Sequence, residues 1–309
     1  MAVQFAVLSS GSRGNSTLIR GDGAAILIDA GLMPKDLEAK LAIAGTPWSR
    51  VGCVLLTHTH GDHVNRHSLR SLADRHIPIY CHDAHRVKLA RFECYDQMAA
   101  LGLVRSYEDG LPFLTPSGAR VEPLRVPHGP EPTFGFRVEL KATRRQRSVK
   151  LGYVADLGHW SNRLADALAE VDVLGLEFNY DEVLQKNSGR PQVLINRNLG
   201  DQGHLSNDQG SGLLQAVLDR SQQVMPRHVV LLHLSDQCNR PELAVKAAQA
   251  TAKAAGRRIK IHASQQRTVS PVLEIEPTRK LAKRLSALVN ATRFFWEDAE
   301  SQPTESRGA

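Results

Sequence analysis

The chain has 309 residues, of which 42% are hydrophobic and 23% charged, the composition of an ordinary globular protein. A chain of this length can bury a large core as one domain, or as one domain with an appendage. Because no run of about 18 apolar residues occurs, the sequence predicts no membrane-spanning helix and no membrane partner. The net charge of +7 favours an anionic partner such as nucleic acid.

Two features predict a cytoplasmic protein. The four cysteines have no CxxC spacing, which suits a reducing compartment. The apolar segment at residues 3–8 is too short for a secretory signal and lacks a basic start. We therefore expect this segment to form the first strand.

Residues 11–16 read Gly-Ser-Arg-Gly-Asn-Ser and separate two strand-like segments at residues 4–8 and 17–19. Glycine and asparagine accept a positive φ, so one interpretation is a tight hairpin turn. A second interpretation is a loop whose backbone N–H groups and polar side chains hold a phosphate. Both can hold at once, and the second makes Ser12 and Asn15 candidate substrate-binding residues.

Residues 57–63 read Thr-His-Thr-His-Gly-Asp-His, a motif of the form HxHxDH. Imidazole nitrogen and carboxylate oxygen are the ligand atoms that Zn²⁺ and similar divalent ions take, whereas crowding these groups has no packing benefit. An apolar strand at residues 51–56 precedes the motif, and helical spacing follows it at residues 64–73. The motif therefore lies on a strand-to-helix loop, and the alternative is a surface loop that is rich in histidine by chance. The candidate metal ligands are His58, His60, Asp62 and His63.

Further along the chain, three ligand-capable residues stand at the ends of strand-like segments: His128, Asp156 and His233. Each one alone is explained as a cap, a turn residue or a hydrogen-bonded core residue. Together with HxHxDH they complete a ligand set, and strand ends are where open sheets place their sites. Asp29 follows a short apolar strand and is either an acceptor that orients a ligating histidine or an ordinary strand-end aspartate.

The other predicted elements are a helix near residues 34–44, a strand at 77–80, a helix at 84–101, strands between 111 and 154, and mixed helices and strands up to residue 275. After Glu276 and Pro277 the pattern changes. Residues 279–295 have the spacing of a basic amphipathic helix, and residues 297–309 are polar and predicted to be disordered. We predict a catalytic domain at residues 1–276 and a C-terminal extension at residues 277–309.

HxHxDH followed by a lone His, a lone Asp and a final His resembles the ligand series of the metallo-β-lactamase fold superfamily. Residues 9–16, 203–207 and 233–244 resemble segments of its WalJ/YycJ subgroup of bacterial nucleases, and the resemblance covers residues 1–276. Cys238 departs from that subgroup, in which Asn is expected at this position. The resemblance implies an α+β fold, an αββα sandwich in which two mixed sheets pack face to face with helices outside.

The resemblance also implies a cofactor of two divalent metal ions, with Zn²⁺ as the default and Mn²⁺ or Fe accepting the same ligands. The implied ligand sets are His58, His60 and His128 for one metal, Asp62, His63 and His233 for the other, and Asp156 as the bridge between them. A hydroxide shared by the two metals would attack the substrate in line.

Three residues receive further roles. Asp62 is assigned to catalysis as an oxygen donor and as counter-charge to the dications. His204 corresponds to an additional active-site histidine of the subgroup, which contacts a substrate phosphate or protonates the leaving oxygen, and its alternative is a capping or loop histidine. Asn207, in the same segment, is a third candidate substrate-binding residue.

The resemblance and the positive charge imply a metal-dependent phosphodiesterase, an exonuclease acting on DNA or RNA. One alternative is a glyoxalase-II-like hydrolase of a small thioester or lactone, since those enzymes share HxHxDH. Another is a non-catalytic metal or nucleic-acid binder, which the intact ligand set disfavours. Arg66, Arg70 and Arg75 follow the motif and could line a groove near the site, whereas the basic cluster at residues 141–150 favours a solvated hairpin tip.

Overall fold

The computed structural model describes residues 2–141 and 147–277. Its strands are β1 (Val3–Ser9), β2 (Ser16–Arg20), β3 (Ala25–Ile28), β4 (Val51–Leu55), β5 (Ile79–His82), β6 (Val104–Tyr107), β7 (Phe113–Leu114), β8 (Arg120–Val126), β9 (Thr133–Leu140), β10 (Val149–Val154), β11 (Val173–Glu177), β12 (His228–Leu232), β13 (Lys260–Ala263) and β14 (Leu273–Ile275). Its helices are α1 (Pro34–Ile43), α2 (Arg66–Asp74), α3 (Asp83–Leu89), α4 (Tyr95–Ala100), α5 (Asn162–Leu168), α6 (Glu182–Lys186), α7 (Gln192–Leu199), α8 (Asn207–Arg220) and α9 (Pro241–Ala254).

The described strands form two mixed sheets of seven strands each. The first has the order β14-β1-β2-β3-β4-β5-β6 and the second the order β13-β12-β11-β10-β9-β8-β7. In each sheet one part is antiparallel and the other parallel: the strands from β3 to β6 run parallel in the first sheet, and those from β10 to β13 in the second. Parallel strands need covered faces on both sides, so helices are expected outside.

The core consists of three layers of buried side chains. The central layer joins the facing sheets, with Phe5 and Ile28 from the first and Phe134 and Leu151 from the second. The outer layers lie between the first sheet and helices α1 to α4, and between the second sheet and helices α5, α8 and α9. This arrangement confirms the predicted αββα sandwich.

Strand β3 shows why the buried strands are apolar throughout instead of alternating. Ile26 and Ile28 enter the central layer, whereas Ala25 and Leu27 enter the outer layer beneath the helices. Successive side chains of a strand point to opposite faces, so a strand covered on both sides needs an apolar residue at every position. The sequence pattern at residues 25–28 is therefore a consequence of burial on two faces.

The carboxyl ends of the parallel strands bring together the residues that form the candidate site. Asp29 follows β3, and the HxHxDH loop follows β4. In the second sheet Asp156 lies two residues beyond β10, Glu177 ends β11 and His233 follows β12. Because the two sheets face each other, these ends line one cleft.

Two predicted helices differ from the structure. The helix expected from residue 64 begins at Arg66, because the side chain of Asn65 accepts hydrogen bonds from the backbone N–H groups of His67 and Ser68 and so caps the helix. The helix expected over residues 84–101 is interrupted at residues 90–94, where the chain turns and buries Cys94 in the outer layer of the first sheet. This interruption separates α3 from α4.

Several predictions lie outside the described residues: the amphipathic helix at residues 279–295, the polar tail beyond it, and the middle of the basic cluster at residues 142–146. Among the described residues, no helix combines the length and hydropathy that crossing a membrane requires.

The HxHxDH loop is held by two other loops of the first sheet. The backbone N–H of Asn15 donates to the carbonyl of Asp62 at 2.7 Å, and that of Ala30 donates to the carbonyl of His63 at 2.9 Å. Gly31 passes so close that a Cβ built on it would lie 1.7 Å from the carbonyl oxygen of Asp62. Only glycine fits at this position without moving the HxHxDH loop.

We expect the substitution Gly31→Ala to lower the free energy of unfolding by about 3 kcal/mol, because backbone atoms must move to admit the methyl group. Urea denaturation of the metal-free protein measures the effect. Gly61→Ala is the matched control in the neighbouring loop, because a Cβ there meets no atom within 4 Å, and its cost should stay within about 0.5 kcal/mol. Equal midpoints for the two variants would contradict the close approach at Gly31.

Candidate metal centre

Seven predicted ligands converge at the cleft between the two sheet ends. Their nitrogen and oxygen atoms fall into groups in which all ligand atoms lie within 4.8 Å of one another. One group is His58, His60 and His128, and another is Asp62, His63 and His233. These are the two sets that the resemblance implied. Whether each residue ligates a metal remains a proposal.

The first group presents imidazole nitrogens to one point. His58 Nε2 lies 2.8 Å from His60 Nδ1, and His58 Nδ1 lies 3.0 Å from the hydroxyl oxygen of Thr57. His128 donates from Nδ1 to the carbonyl oxygen of Gly203 at 2.8 Å. This bond leaves the lone pair of His128 Nε2 facing the cleft, as a ligating histidine requires.

The second group is oriented in the same way. His63 Nδ1 lies 2.7 Å from Asp29 Oδ2, so His63 Nε2 is directed at the cleft, 3.5 Å from Asp62 Oδ2. His233 Nε2 lies 4.0 Å from the same oxygen of Asp62. A cation between these three atoms would have one oxygen and two nitrogens available to it.

Asp156 lies between the two groups. Its Oδ2 is 3.2 Å from His63 Nε2, and its Oδ1 is 3.9 Å from His128 Nε2. The carboxylate therefore reaches a member of each group, which is the placement that a bridging ligand needs.

Electrostatics separate the roles of the histidines. Burial and the neighbouring His63 charge hold the pKa of His58 well below its usual range, so this imidazole is neutral. Burial also opposes a charge on His63, but the carboxylates of Asp29, Asp156 and Asp62 outweigh it and raise the pKa of His63 well above its ordinary value. Burial opposes the ionised form of Asp156 too, but the surrounding imidazoles hold its pKa well below its usual range. The buried carboxylates of the pocket thus favour positively charged neighbours.

The hydrogen bonding and the chemistry of the ligand atoms also fit a divalent metal. In the described part of the chain, His233 Nε2 is a buried atom with no hydrogen-bond partner. Buried polar atoms without a partner are uncommon and often mark the position of an ion. Three-atom sets of imidazole nitrogen and carboxylate oxygen suit Zn²⁺, Mn²⁺ and Fe.

The sequence left two roles open for Asp29, and its contacts favour that of an acceptor that orients a histidine. It is fully buried and accepts hydrogen bonds from the backbone N–H of Thr57 at 2.8 Å and from the hydroxyl of Thr57, as well as from His63.

Asp29, Asp156 and His233 all have positive φ values, of 62°, 59° and 55°. Non-glycine residues adopt this conformation at a cost of about 1–2 kcal/mol, and such strain concentrates at functional sites.

Glu177 is a site residue that the sequence reasoning missed. Its Oε1 lies 2.9 Å from His204 Nδ1 and 3.0 Å from His233 Nδ1, and its Oε2 accepts from the backbone N–H groups of Leu157 and Leu205. Burial would raise the pKa of Glu177, but the His204 charge and these hydrogen bonds lower it to about 2. The available signal was a carboxylate ending a strand that is otherwise apolar, the criterion that selected Asp156.

His204 lies at the site, 3.6 Å from Asp156 Oδ1 through its Nδ1 atom. Its side chain is 17% exposed, whereas that of His233 is 5% exposed. With Nδ1 occupied by Glu177, the other ring nitrogen of His204 is free to meet a substrate. His204 also forms a possible ligand group with Asp156, Glu177 and His233.

The three predicted substrate-binding residues differ in position. Ser12 is exposed on the loop after β1. Asn15 is buried, and its amide donates to Asp62 Oδ2 at 3.1 Å, so this side chain supports a candidate ligand. Asn207 exchanges two amide hydrogen bonds with Asn239, at 3.1 and 2.9 Å. Their contacts with a substrate remain predictions.

The three predicted groove arginines also differ. Arg66 and Arg70 line a surface pocket with residues of the turn between α3 and α4. Arg75 lies elsewhere: its guanidinium is 5.0 Å from the ring centre of Trp48 and donates to Ser71. Its charge is used in packing at the end of α2.

We expect Asp29→Asn to weaken Zn²⁺ binding about 10- to 100-fold, the usual effect of removing an acceptor behind a ligating histidine. Asparagine tolerates the positive φ and keeps the side-chain size, so the fold should persist. Competition with a chromophoric chelator measures the affinity. Asp219→Asn, an exposed residue of α8, is the control, and equal affinities in the two variants would refute the role of Asp29.

Sequence comparison identifies the family of this chain. A family model described as a β-lactamase superfamily domain matches residues 25–234. The chain is 27% identical over 252 residues to exodeoxyribonuclease YycJ of Bacillus anthracis, covering 79% of this chain and 87% of that protein. It is 26% identical over 247 residues to exodeoxyribonuclease WalJ of Streptococcus pneumoniae, covering 78% of this chain and 85% of that protein.

Comparison with solved structures agrees on the fold. The metallo-β-lactamase fold protein YhfI of Bacillus subtilis is similar with a TM-score of 0.61 and 15% sequence identity, over 87% of this chain and 99% of that one. The protein therefore belongs to the metallo-β-lactamase fold superfamily and is related to its WalJ/YycJ nucleases.

Proposed function

We propose that the protein is a cytoplasmic exonuclease that hydrolyses phosphodiester bonds of DNA with two divalent metal ions, Zn²⁺ by default. The observation that carries the proposal is the pair of ligand groups, His58-His60-His128 and Asp62-His63-His233, with the carboxylate of Asp156 between them. When bound, the metals would polarise a phosphoryl oxygen and lower the pKa of water towards neutrality. Two such ions suit phosphodiester cleavage because they stabilise both the attacking and the leaving oxygen.

The relatives and the charge of the chain support a nucleic-acid substrate. Both curated relatives are named exodeoxyribonucleases and match most of this chain. The net charge of +7 favours a polyanion over a small neutral ester. These observations favour DNA over the thioester or lactone alternative and over a binding protein without activity.

A cleft beside the metal centre supports access of a nucleotide. It has a volume of about 500 Å³, and its lining residues include His128, the cationic Arg125 and Arg163, and the apolar Val126 and Leu164. Volumes of about 300–1,000 Å³ are usual for sites that take ligands of drug size, which is the size of one nucleotide.

The chain's own residues are arranged for proton transfer to a leaving group. Glu177 accepts a hydrogen bond from His204 Nδ1, which fixes the orientation of the ring. The proton on the other ring nitrogen of His204 would then pass to the leaving oxygen as the phosphodiester bond breaks. Glu177 is thus a positioning residue, and His204 the candidate general acid.

We expect Asp62→Ala to lower DNA hydrolysis more than about 100-fold, because it removes an oxygen ligand and a counter-charge from the site. Metal-loaded protein is incubated with 5′- and 3′-labelled single-stranded and duplex DNA, with RNA, and with a thioester. Release of single nucleotides from DNA, abolished by EDTA, is the predicted result. Turnover of the thioester alone, or full activity of Asp62→Ala beside an Asp219→Ala control, would contradict the proposal.

We expect Glu177→Gln to lower kcat about 10- to 100-fold with a smaller change in KM, because a neutral amide holds the His204 ring less firmly than a carboxylate does. The measurement is steady-state hydrolysis of DNA by protein with verified metal content. Glu182→Gln, an exposed glutamate on α6 that pairs with Lys186, is the matched control. A kcat equal to that of the control would exclude the proton-transfer arrangement.

A further inference from the structure

A second surface pocket lies outside the candidate metal centre. It has a volume of about 470 Å³. Its walls come from two elements: Arg66, His67 and Arg70 of α2, and Arg91, Phe92 and Glu93 of the turn between α3 and α4. None of the seven predicted metal ligands lines it. We call it the arginine groove.

The charges of the arginine groove are unbalanced. Arg70 Nε pairs with Asp74 Oδ1 at 3.0 Å on its own helix. Arg66 Nε donates to His67 Nε2 at 3.1 Å, and among the described residues neither Arg66 nor Arg91 has a carboxylate partner. Among the described residues, Glu93 is the one carboxylate that lines the groove. Arginine carries a planar fork of N–H donors that matches phosphate oxygens, so the groove suits a polyphosphate anion.

The groove also has a fixed apolar wall. Phe92 is half-buried and packs against the outer core layer of the first sheet, so its ring is held in place. An aromatic side chain next to arginines offers contact to a sugar or base as well as to phosphates. This combination favours a nucleic-acid strand over a free inorganic anion.

The groove lies close to the metal centre along the chain. Arg66 follows the candidate ligand His63 by three residues. Three residues span at most about 10 Å, and successive phosphates of one B-DNA strand are spaced about 3.4 Å apart along the helix axis. The Cα atom of Arg66 therefore lies within about 10 Å of that of His63, a span of about three nucleotides.

We propose that the arginine groove binds the phosphate backbone of the DNA strand flanking the scissile bond, with Arg66 and Arg91 as the phosphate contacts. This inference rests on the proposed function, because it names where the same substrate continues beyond the metal centre. The sequence had indicated Arg66 and Arg70. The contribution of Arg91 comes from folding, since α2 and the turn after α3 are distant in sequence.

The test is DNA binding by metal-free protein in EDTA, where no cleavage can occur. Fluorescence anisotropy with a short labelled DNA duplex is measured across a salt series for the wild type and for Arg66→Ala/Arg91→Ala. Two lost phosphate contacts should weaken binding about 10-fold at low salt. They should also reduce the slope of log K against log salt by about 1.8, at about 0.9 per phosphate.

Arg50→Ala is the matched control, because Arg50 is an exposed arginine before β4, at the opposite end of that strand from the HxHxDH loop. Its slope should equal that of the wild type, and thermal melts verify that all variants fold. An unchanged slope in the double variant, or no DNA binding by the wild type, would refute the proposal that the arginine groove binds the DNA backbone.

The two proposals fail separately. If the wild type cleaves DNA but the double variant keeps the full slope of log K against log salt, the proposed function stands and the arginine groove is refuted. If the double variant has a reduced slope but the metal-loaded wild type cleaves no phosphodiester bond, the arginine groove stands as a DNA-binding surface and the nuclease assignment is refuted.

Discussion

Buried negative charge is the constraint on which the rest of this structure depends. Asp29, Asp156 and Glu177 have almost no exposed surface, and Asp62 is only 23% exposed, yet all four meet at the cleft between the sheets. Burying an ionised carboxylate without compensation is costly. Imidazoles provide part of the compensation, and their free nitrogens are directed at the same points as the carboxylate oxygens. Divalent cations at those points would satisfy both kinds of atom at once.

The fold makes this concentration of charge possible. Each sheet contributes the carboxyl ends of its parallel strands, and the central core layer holds the two sheets face to face. Backbone bonds from the Asn15 and Ala30 N–H groups fix the HxHxDH loop, and Gly31 leaves it room. The positive φ values at Asp29, Asp156 and His233 show that the backbone bends sharply at the point where each strand delivers its side chain. The apolar core stabilises a site that is itself strained.

Much of this could be predicted from the sequence because the informative signals are local. HxHxDH is contiguous, and His128, Asp156 and His233 each end a visible apolar run. The αββα sandwich came from the resemblance, and the structure confirms it. Glu177 ends an apolar strand, as the criterion that selected Asp156 requires, but it was missed because it has no place in the ligand series that the resemblance supplied. Its two histidine contacts arise only when β11, β12 and the loop before α8 come together.

Tertiary contacts also explain the other differences between the sequence predictions and the structure. Arg91 and Arg66 lie on elements that are separated in sequence, so their shared groove has no local pattern. Arg75 follows α2 directly, but its guanidinium is drawn to Trp48 by packing. The helix expected at residues 84–101 is broken because burial of Cys94 outweighs the local helical spacing. In each case tertiary packing determines the position of a side chain or the end of a helix, which the hydrophobic periodicity of the sequence does not specify.

Two cation sites in this pocket are tested most directly by calorimetric titration of metal-free protein with Zn²⁺, followed by thermal melting. We expect two ions to bind per chain and the melting temperature to rise with metal occupancy, because cations relieve the charge of the buried carboxylates. Binding of no ion, or of two ions with no change in melting temperature, would contradict the claim that this pocket is built for a pair of cations.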